Sequence, residues 1–397
     1  MIGYQEALQL VLDRIRPLPA VEVPLEQAGG LVLAEGVAAR WDLPPADNSA
    51  MDGFAFAWRE RLAGKELAVV GSAYAGSPWT GTPGPEQVVR IMTGSPLPPG
   101  CDTVVPLEEV VETATAIRLP VVVKPGQHVR RQGEEFRSGD PLLDAGAPLH
   151  AGEIGLLAAA GFARVRVHPA PRVALLSTGD ELVELGQTPG PGQIVNSNLY
   201  LLSARLREEG CSVLPLGLCR DEPEALARHL AAGEQANLIL STGGVSVGDR
   251  DYLREALNGR GFETVFWQVA IKPGKPVLFG LLHDRPVFGL PGNPAAAAAT
   301  FELFVRPALR RLAGFPATAP LRLRATLVTE VHSDRKRECF LWGTLSEESG
   351  RLTFHPSRRQ GSGQNRSLQG AQALLPVPAG SEPLAAGSDV SVLFIRL

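Results

Sequence analysis

Residues 238–251 read Leu238-Ile-Leu-Ser-Thr-Gly-Gly-Val-Ser-Val-Gly-Asp-Arg-Asp251, an apolar run that breaks into glycines and ends on two aspartates. The run is too short for a helix and has the character of a strand buried on both faces. Such a strand requires a sheet covered on both sides. The surrounding chain supplies one. From Pro171 onward, strand patterns at 173–176, 212–216, 238–241, 265–269, 277–279 and 287–288 alternate with helical ones. The helices are expected at 198–209, closed by Gly210, and after Asp221 as N-cap, with Pro223 in the first turn, Glu224 as capping-box partner and Gly233 following. Further helices are expected at 252–257 and 294–312. This alternation predicts a mainly parallel sheet with helices on both faces.

The flanking regions follow other rules. Residues 4–16 place Leu8, Val11, Leu12 and Ile15 at helical spacing. From about Trp41 to Lys124 the pattern is short β runs (67–70, 88–92, 103–107 and 121–123) punctuated by glycine and proline. Helical pattern returns at 151–160, and β runs fill the chain from about Leu321. The organisation expected is a discontinuous helical or mixed domain from 1–40 and 125–168, a β-rich domain at 41–124 inserted into it, an α/β domain at 169–314 and a C-terminal β domain at 318–397. A chain of 397 residues accommodates that many cores.

Net charge of −4 argues against a general nucleic-acid binder. No run approaches the ~18 apolar residues of a membrane span. The amphipathic N-terminus, with Glu6 and Asp13, does not read as a signal peptide. Cys101, Cys211, Cys219 and Cys339 are dispersed, and the histidines lack zinc-ligand spacing. A reducing cytoplasm without structural zinc is expected.

Three loops follow predicted strands: Ser177-Thr-Gly179-Asp180-Glu181-Leu182, Ser241 to Asp251, and Gly289-Leu-Pro291-Gly-Asn293-Pro294. Ligands of open α/β sheets bind outside the carboxyl ends of strands, and a helix N-terminus there offers N–H groups to anions. Gly179, Gly243 and Gly244 allow tight turns and close approach of a ligand to the backbone. Between these loops, Lys272-Pro-Gly-Lys275-Pro276 sets two ammonium groups in a stretch stiffened by proline, suited to an oxyanion or phosphate. Asp249 and Asp251, with Asp180 and Glu181 nearby, suit a hard divalent ion such as Mg²⁺. Asp221 is equally explained as a helix cap, and Asp52 sits in an ordinary Asp-Gly turn. Gly244-Val-Ser246-Val-Gly248 matches the GxSxG elbow of serine hydrolases, but Ser246 lies several residues beyond the strand end. His283, His332 and His355 have no distinctive context. No Walker A or GxGxxG fingerprint occurs.

Taken as a set, Asn48-Ser-Ala-Met-Asp52-Gly-Phe54, Arg90-Ile-Met-Thr93-Gly-Ser95, Ser177 to Leu182, Gly243 to Asp249, Lys272 to Pro276 and Gly289 to Pro294 resemble the MoeA family of molybdopterin molybdenumtransferases, related to the E domain of gephyrin. The resemblance implies an α/β plus β chain: an elongated four-domain subunit with an α/β domain of the molybdopterin-binding type, a β-rich inserted domain and a C-terminal β-barrel-like domain. It implies a cytoplasmic homodimer with a cleft shared between subunits. The implied reaction is Mg²⁺-dependent transfer of molybdenum from molybdate to adenylylated molybdopterin, with release of AMP. Implied partners are a molybdopterin adenylyltransferase and molybdoenzyme acceptors, without nucleic acid or membrane.

By position, the resemblance implies catalytic roles for Asp52, Glu181, Asp221, Lys272 and Lys275, with Asp52 acting across the dimer. It adds Thr93, Pro291 and Ser362 as functional or characteristic positions. Ser177, Gly179, Gly243, Gly244, Ser246, Pro276 and Asn293 join these as expected ligand contacts, and Asp180, Asp249 and Asp251 as metal ligands. Three departures stand out. The family's usual Gly-Glu-Asp is Gly133-Glu-Glu135 here. Its Pro-Gly-Asn-Pro-Val-Ser is Pro291-Gly-Asn-Pro-Ala-Ala296, and its aromatic-x-Arg-Gly is Phe340-Leu-Trp342-Gly343. Loss of a hydroxyl and a cation predicts weaker molybdate binding. It also leaves open a non-catalytic scaffold or carrier of the same fold.

Overall fold

A computed structural model of the chain describes residues 1–245, 252–348 and 350–396. Helix α1 (Tyr4–Arg14) buries Tyr4, Ala7, Leu8 and Val11, a single stripe at helical spacing. That stripe packs into the α/β core and not into the mixed domain with which sequence order groups it. Tyr4 meets Phe304 edge-on at 5.7 Å between ring centroids and Phe340 of the C-terminal barrel at 5.1 Å. Amphipathicity says which face is buried, and is silent about which partner buries it.

The next segment closes on itself. Strand Val21–Pro24 pairs antiparallel with Arg164–His168, which also pairs with Val32–Leu33. Helix α2 (Ala151–Ala159) contributes Leu157 to the small core beneath, with Leu33, Leu149, Val165 and Val167. The chain between these strands carries a six-stranded sheet in which Gly53–Phe56 lies between Thr103–Pro106 and Gln87–Ile91. Gly53 is required there, since a Cβ would fall 2.0 Å from the Val105 carbonyl oxygen. Residues 121–123, expected as a strand, are irregular, with Val121 81% and Val122 74% exposed. Pro120 and Pro125 on either side lack the N–H groups that a ladder needs.

The α/β domain contains β1 (Arg172–Thr178), helix α3 (Ser197–Glu208), β2 (Ser212–Cys219), α4 (Pro223–Gly233), β3 (Leu238–Thr242), α5 (Tyr252–Asn258), β4 (Glu263–Phe266), β5 (Leu278–Leu282) and β6 (Arg285–Leu290). The sheet order is β2-β1-β3-β6-β5-β4. Strands β2, β1, β3 and β6 run parallel, while β5 and β4 are antiparallel additions at one edge. Every residue of β3 is buried, as its unbroken apolar run requires. Asp221 does not cap α4: the N-cap is Glu222, without a side-chain capping bond, and Gly233 is the last helical residue. Pro223 fixes the first helical φ and holds Glu222 extended, so the start is set by proline. The long C-terminal helix has three parts: α6 (Pro294–Thr300), a π-helical stretch Phe301–Val305, and α7 (Arg306–Leu312). Pro307 cannot donate to the carbonyl one turn back, and the wider turn before it accommodates the ring.

The C-terminal module is a closed β-barrel. Strand Glu338–Glu348 pairs antiparallel with both Arg351–Pro356 and Ala373–Val377. Asp389–Phe394 then links Ala373–Val377 to Arg322–Leu327, which returns beside Arg351–Pro356. Closure leaves no sheet edge within the ring. The short strand Ile271–Lys272 of the α/β domain docks on the outside, parallel to Glu338 and Cys339. Among the described residues, no helix is long and apolar enough to cross a membrane.

Candidate active site

Parallel register brings the ends of β1, β3 and β6 together: Ser177 lies beside Thr242, and Thr242 beside Leu290. The loops leaving those ends bound a cavity of about 670 Å³. Its lining includes Ser177, Gly179, Glu181, Asp221, Gly243, Gly244, Pro276, Pro291 and Asn293, with Gly363 and Asn365 from the barrel. Most of the residues singled out by the strand-end argument therefore share one cleft. Two turns depend on glycine. Gly243 has φ 89°, and a Cβ on it would lie 2.1 Å from the Thr178 carbonyl oxygen. Gly244 has φ 67°, and its Cβ would lie 2.7 Å from Thr178 Oγ1. The two strand-end turns thus touch backbone to backbone.

Beneath the cleft lies a polar layer that the sequence did not reveal. The Asn196 side chain caps α3 by accepting from Leu199 N–H (3.3 Å), and it also accepts from Ser177 Oγ (3.1 Å). Asn198 donates to Thr242 Oγ1 (2.8 Å) and the Gly292 carbonyl (2.7 Å), tying α3 to two strand-end loops. Thr242 Oγ1 passes its own proton to the Pro291 carbonyl (3.1 Å). Asn196 precedes a helical apolar pattern and was legible as a cap. Asn198 carried no local signal. Thr178 Oγ1, Asn196 Nδ2 and Asn198 Oδ1 are buried with no hydrogen-bond partner among the described residues. Each such group costs about 1–3 kcal/mol, which a bound molecule or an ordered water would offset.

The charged groups divide differently. Glu181 and Asp221 line the cleft, and the Asp221 N–H donates to Asp180 Oδ1 (3.2 Å). Ser246, Asp249 and Asp251 lie outside the described residues. Among the described residues, no group of three or more His, Cys, Asp or Glu side chains is placed to hold a metal ion. No histidine lines the cleft: His355 bonds Ser346 in the barrel, while His283 and His332 sit beside Glu234 and Glu330.

Lys272 and Lys275 do not line the cavity, although Pro276 does. Lys272 Nζ lies 3.4 Å from Asp334 Oδ2 of the barrel. Asp334 also accepts from Lys336 N–H (3.0 Å), Arg337 N–H (3.2 Å) and Arg337 Nη2 (3.0 Å). The Lys336 N–H foremost, then Arg337, holds its carboxyl well below the usual range. The lysine loop is thereby anchored to the barrel by an aspartate that the sequence analysis did not single out.

Asp52 and Thr93 lie in the inserted domain, off the cleft lining. Asp52 Oδ1 accepts from Thr93 N–H (2.7 Å) and Thr93 Oγ1 (2.8 Å), which lowers its pKa. Ser362 Oγ accepts from Asn293 Nδ2 (3.2 Å), and its carbonyl accepts from Ala295 N–H (3.0 Å), clipping the start of α6 to the barrel. Two of the departures meet at that same point. Trp342 is buried and its indole N–H donates to the Ala295 carbonyl (3.3 Å), next to the buried Ala296. The third, Glu135, is exposed.

Comparison with known proteins matches each part of this architecture. Residues 2–161 match the family model of the MoeA N-terminal region (domain I and II). Residues 174–311 match a probable molybdopterin binding domain, and 324–395 the MoeA C-terminal region (domain IV). The chain belongs to the MoeA family. A relative from a Nostoc species, named molybdopterin molybdenumtransferase, is 38% identical over 94% of this chain and 88% of its own. One of the same name from Synechococcus elongatus is 37% identical over 99% of both chains. Among solved structures, the molybdopterin biosynthesis MoeA protein from Pyrococcus horikoshii superposes with a TM-score of 0.85 at 29% identity, covering 99% of each chain. MoeA relatives named in this way are transferases, and the fold described above is the MoeA fold.

Proposed function

We propose that this MoeA protein is a molybdopterin molybdenumtransferase of molybdenum cofactor biosynthesis. In this reading it takes molybdenum from molybdate, places it on adenylylated molybdopterin and releases AMP. The observation that carries the reading is the cleft at the strand ends, where the Ser177–Glu181 turn, the Gly243-Gly244 turn and Pro291 to Asn293 converge under the barrel. The glycine turns admit a phosphate-bearing ligand to the backbone. Asn196, Asn198 and Thr178 provide unused hydrogen-bonding capacity beneath it. Lys272 and Lys275 lie off the cleft lining, with Lys272 paired to Asp334, and would serve an oxyanion only at the edge of the cleft next to Pro276. Dependence on a divalent cation rests on Asp249 and Asp251. The described residues alone do not form an ion site, and no step is derived through one. Asp52 and Thr93 would reach a cleft only from a second subunit, which fits a homodimer in the cytoplasm. A molybdopterin adenylyltransferase would supply the substrate, and molybdoenzymes would receive the product.

Complementation tests the reading. The gene should restore nitrate reductase activity to a strain lacking its own molybdenum-inserting enzyme. A soluble dimer that gives no activity would favour the second reading, a non-catalytic pterin carrier. Buried Ala296 and Trp342 support that second reading, since they place methyl and indole groups where the family resemblance implies a hydroxyl and a guanidinium. On either reading, molybdate should bind more weakly than in a relative with serine and arginine there. Equal affinity in parallel titrations would overturn that expectation.

A further inference from the structure

A second cavity, of about 710 Å³, opens between α3, α7 and the barrel and shares no lining residue with the cleft. Its lining includes Arg205, Glu208, Glu209, Arg306, Arg310 and Arg396. Its wall is an ion network. Arg205 contacts Glu208, and reaches Glu209 at 3.0 Å and Glu302 at 2.8 Å. Arg306 reaches Glu209 at 3.0 Å and Glu302 at 3.4 Å, and Arg396 lies 3.8 Å from Glu208. The carboxylates are thus already matched by Arg205, Arg306 and Arg396, and Arg310 is left as the excess cation. Among the described residues, no carboxylate lies within salt-bridge distance of Arg310.

Arg310 is also fixed in place. Its Nε donates to the Ala317 carbonyl (3.1 Å), and its guanidinium stacks on the Phe315 ring at 4.2 Å. One edge and one face are taken, which leaves the terminal amino groups of a preset fork uncommitted among the described residues. Burial, then repulsion from Arg306, pulls its pKa down, against a smaller upward pull from Glu209, which is engaged by Arg205 and Arg306.

We propose that this cavity binds a small oxyanion of the phosphate class, gripped by the Arg310 fork, while Arg396, already engaged by Glu208 and the Ala371 and Leu368 carbonyls, lines the barrel side. A planar fork pairs with such an oxyanion through parallel N–H···O bonds, which a lysine cannot reproduce. Because Arg310 stands on α7 and Arg396 follows the last barrel strand, the bound anion sits between the α/β domain and the barrel.

Isothermal titration of the full-length protein with inorganic phosphate at constant ionic strength tests this. A saturable phosphate site is expected that is weakened at least about tenfold by Arg310→Gln and survives in Lys272→Ala, which removes only charge assigned to the cleft edge. Arg310→Lys keeps the charge but not the fork, and should bind less tightly than wild type even if the glutamine variant fails to fold. Absence of saturable binding overturns the proposal. So does wild-type affinity in both Arg310 variants, or binding lost only in Lys272→Ala.

Discussion

Replacing Gly243 by alanine puts a methyl group where β1 and β3 release their loops. The Cβ would stand 2.1 Å from the Thr178 carbonyl oxygen, a backbone atom at the end of β1 whose residue pairs with Cys219 in the parallel ladder. It would also hold a residue with a side chain at φ 89°. The backbone term alone is about 1–3 kcal/mol, and forcing atoms apart in a packed region adds about 1–3 kcal/mol. Gly210 provides the control. Its φ is 75°, and a Cβ there meets nothing within 4 Å, so Gly210→Ala pays only the backbone term. The excess for Gly243→Ala should be about 2 kcal/mol, which corresponds to about 4–8 °C in the unfolding midpoint of a domain of this size. Thermal unfolding followed by circular dichroism measures both variants. Because the strain sits on the cleft wall, Gly243→Ala should also lose pterin binding, while Gly210→Ala keeps it. Equal loss of stability in the two variants, with binding intact in both, would refute the claim that the turns touch.

Two other outcomes follow from the charged groups. Arg205→Ala leaves Glu302 buried without its nearest partner, and should cost about 3–5 kcal/mol in urea unfolding. The double variant Arg205→Met with Glu302→Leu should recover most of that loss. Asp52 titrates below its ordinary 3.8 because of the Thr93 bonds, so its contribution is complete above about that pH and is lost as pH falls through the lowered value. Thr93→Val keeps the backbone N–H bond, the larger cause, and should raise the Asp52 pKa only in part in a carboxyl-carbon NMR titration; an unchanged value would remove the Thr93 hydroxyl as a cause.

The α/β sheet was legible because each element carried its own local mark. β3 is an unbroken buried run, α3 ends at Gly210, and α4 begins at a proline. The convergence of Gly179, Gly243 and Pro291 was legible too, since parallel strands deliver their loops to one edge of a sheet. What stayed hidden depended on partners distant in sequence. The α1 stripe did not disclose that it packs against Phe304 and Phe340. The lysine loop did not disclose Asp334, 62 residues onward. Asn198 reads as any helical polar residue until Thr242 and Gly292 are seen to receive its amide. Asp221 misled for a different reason: acidic residues before proline often cap helices, and here Pro223 made a cap unnecessary.

All of this turns on whether the crevice under the barrel handles a pterin and a metal oxyanion together. Single-turnover incubation of the purified protein with adenylylated molybdopterin and molybdate, reading AMP by chromatography and molybdenum by mass spectrometry, addresses that directly. AMP and protein-bound molybdenum should rise together, at the same rate, and both should fall when Lys272 and Lys275 are replaced by alanine. Tight retention of the intact adenylylated pterin, with neither AMP nor molybdenum gained, would contradict the account.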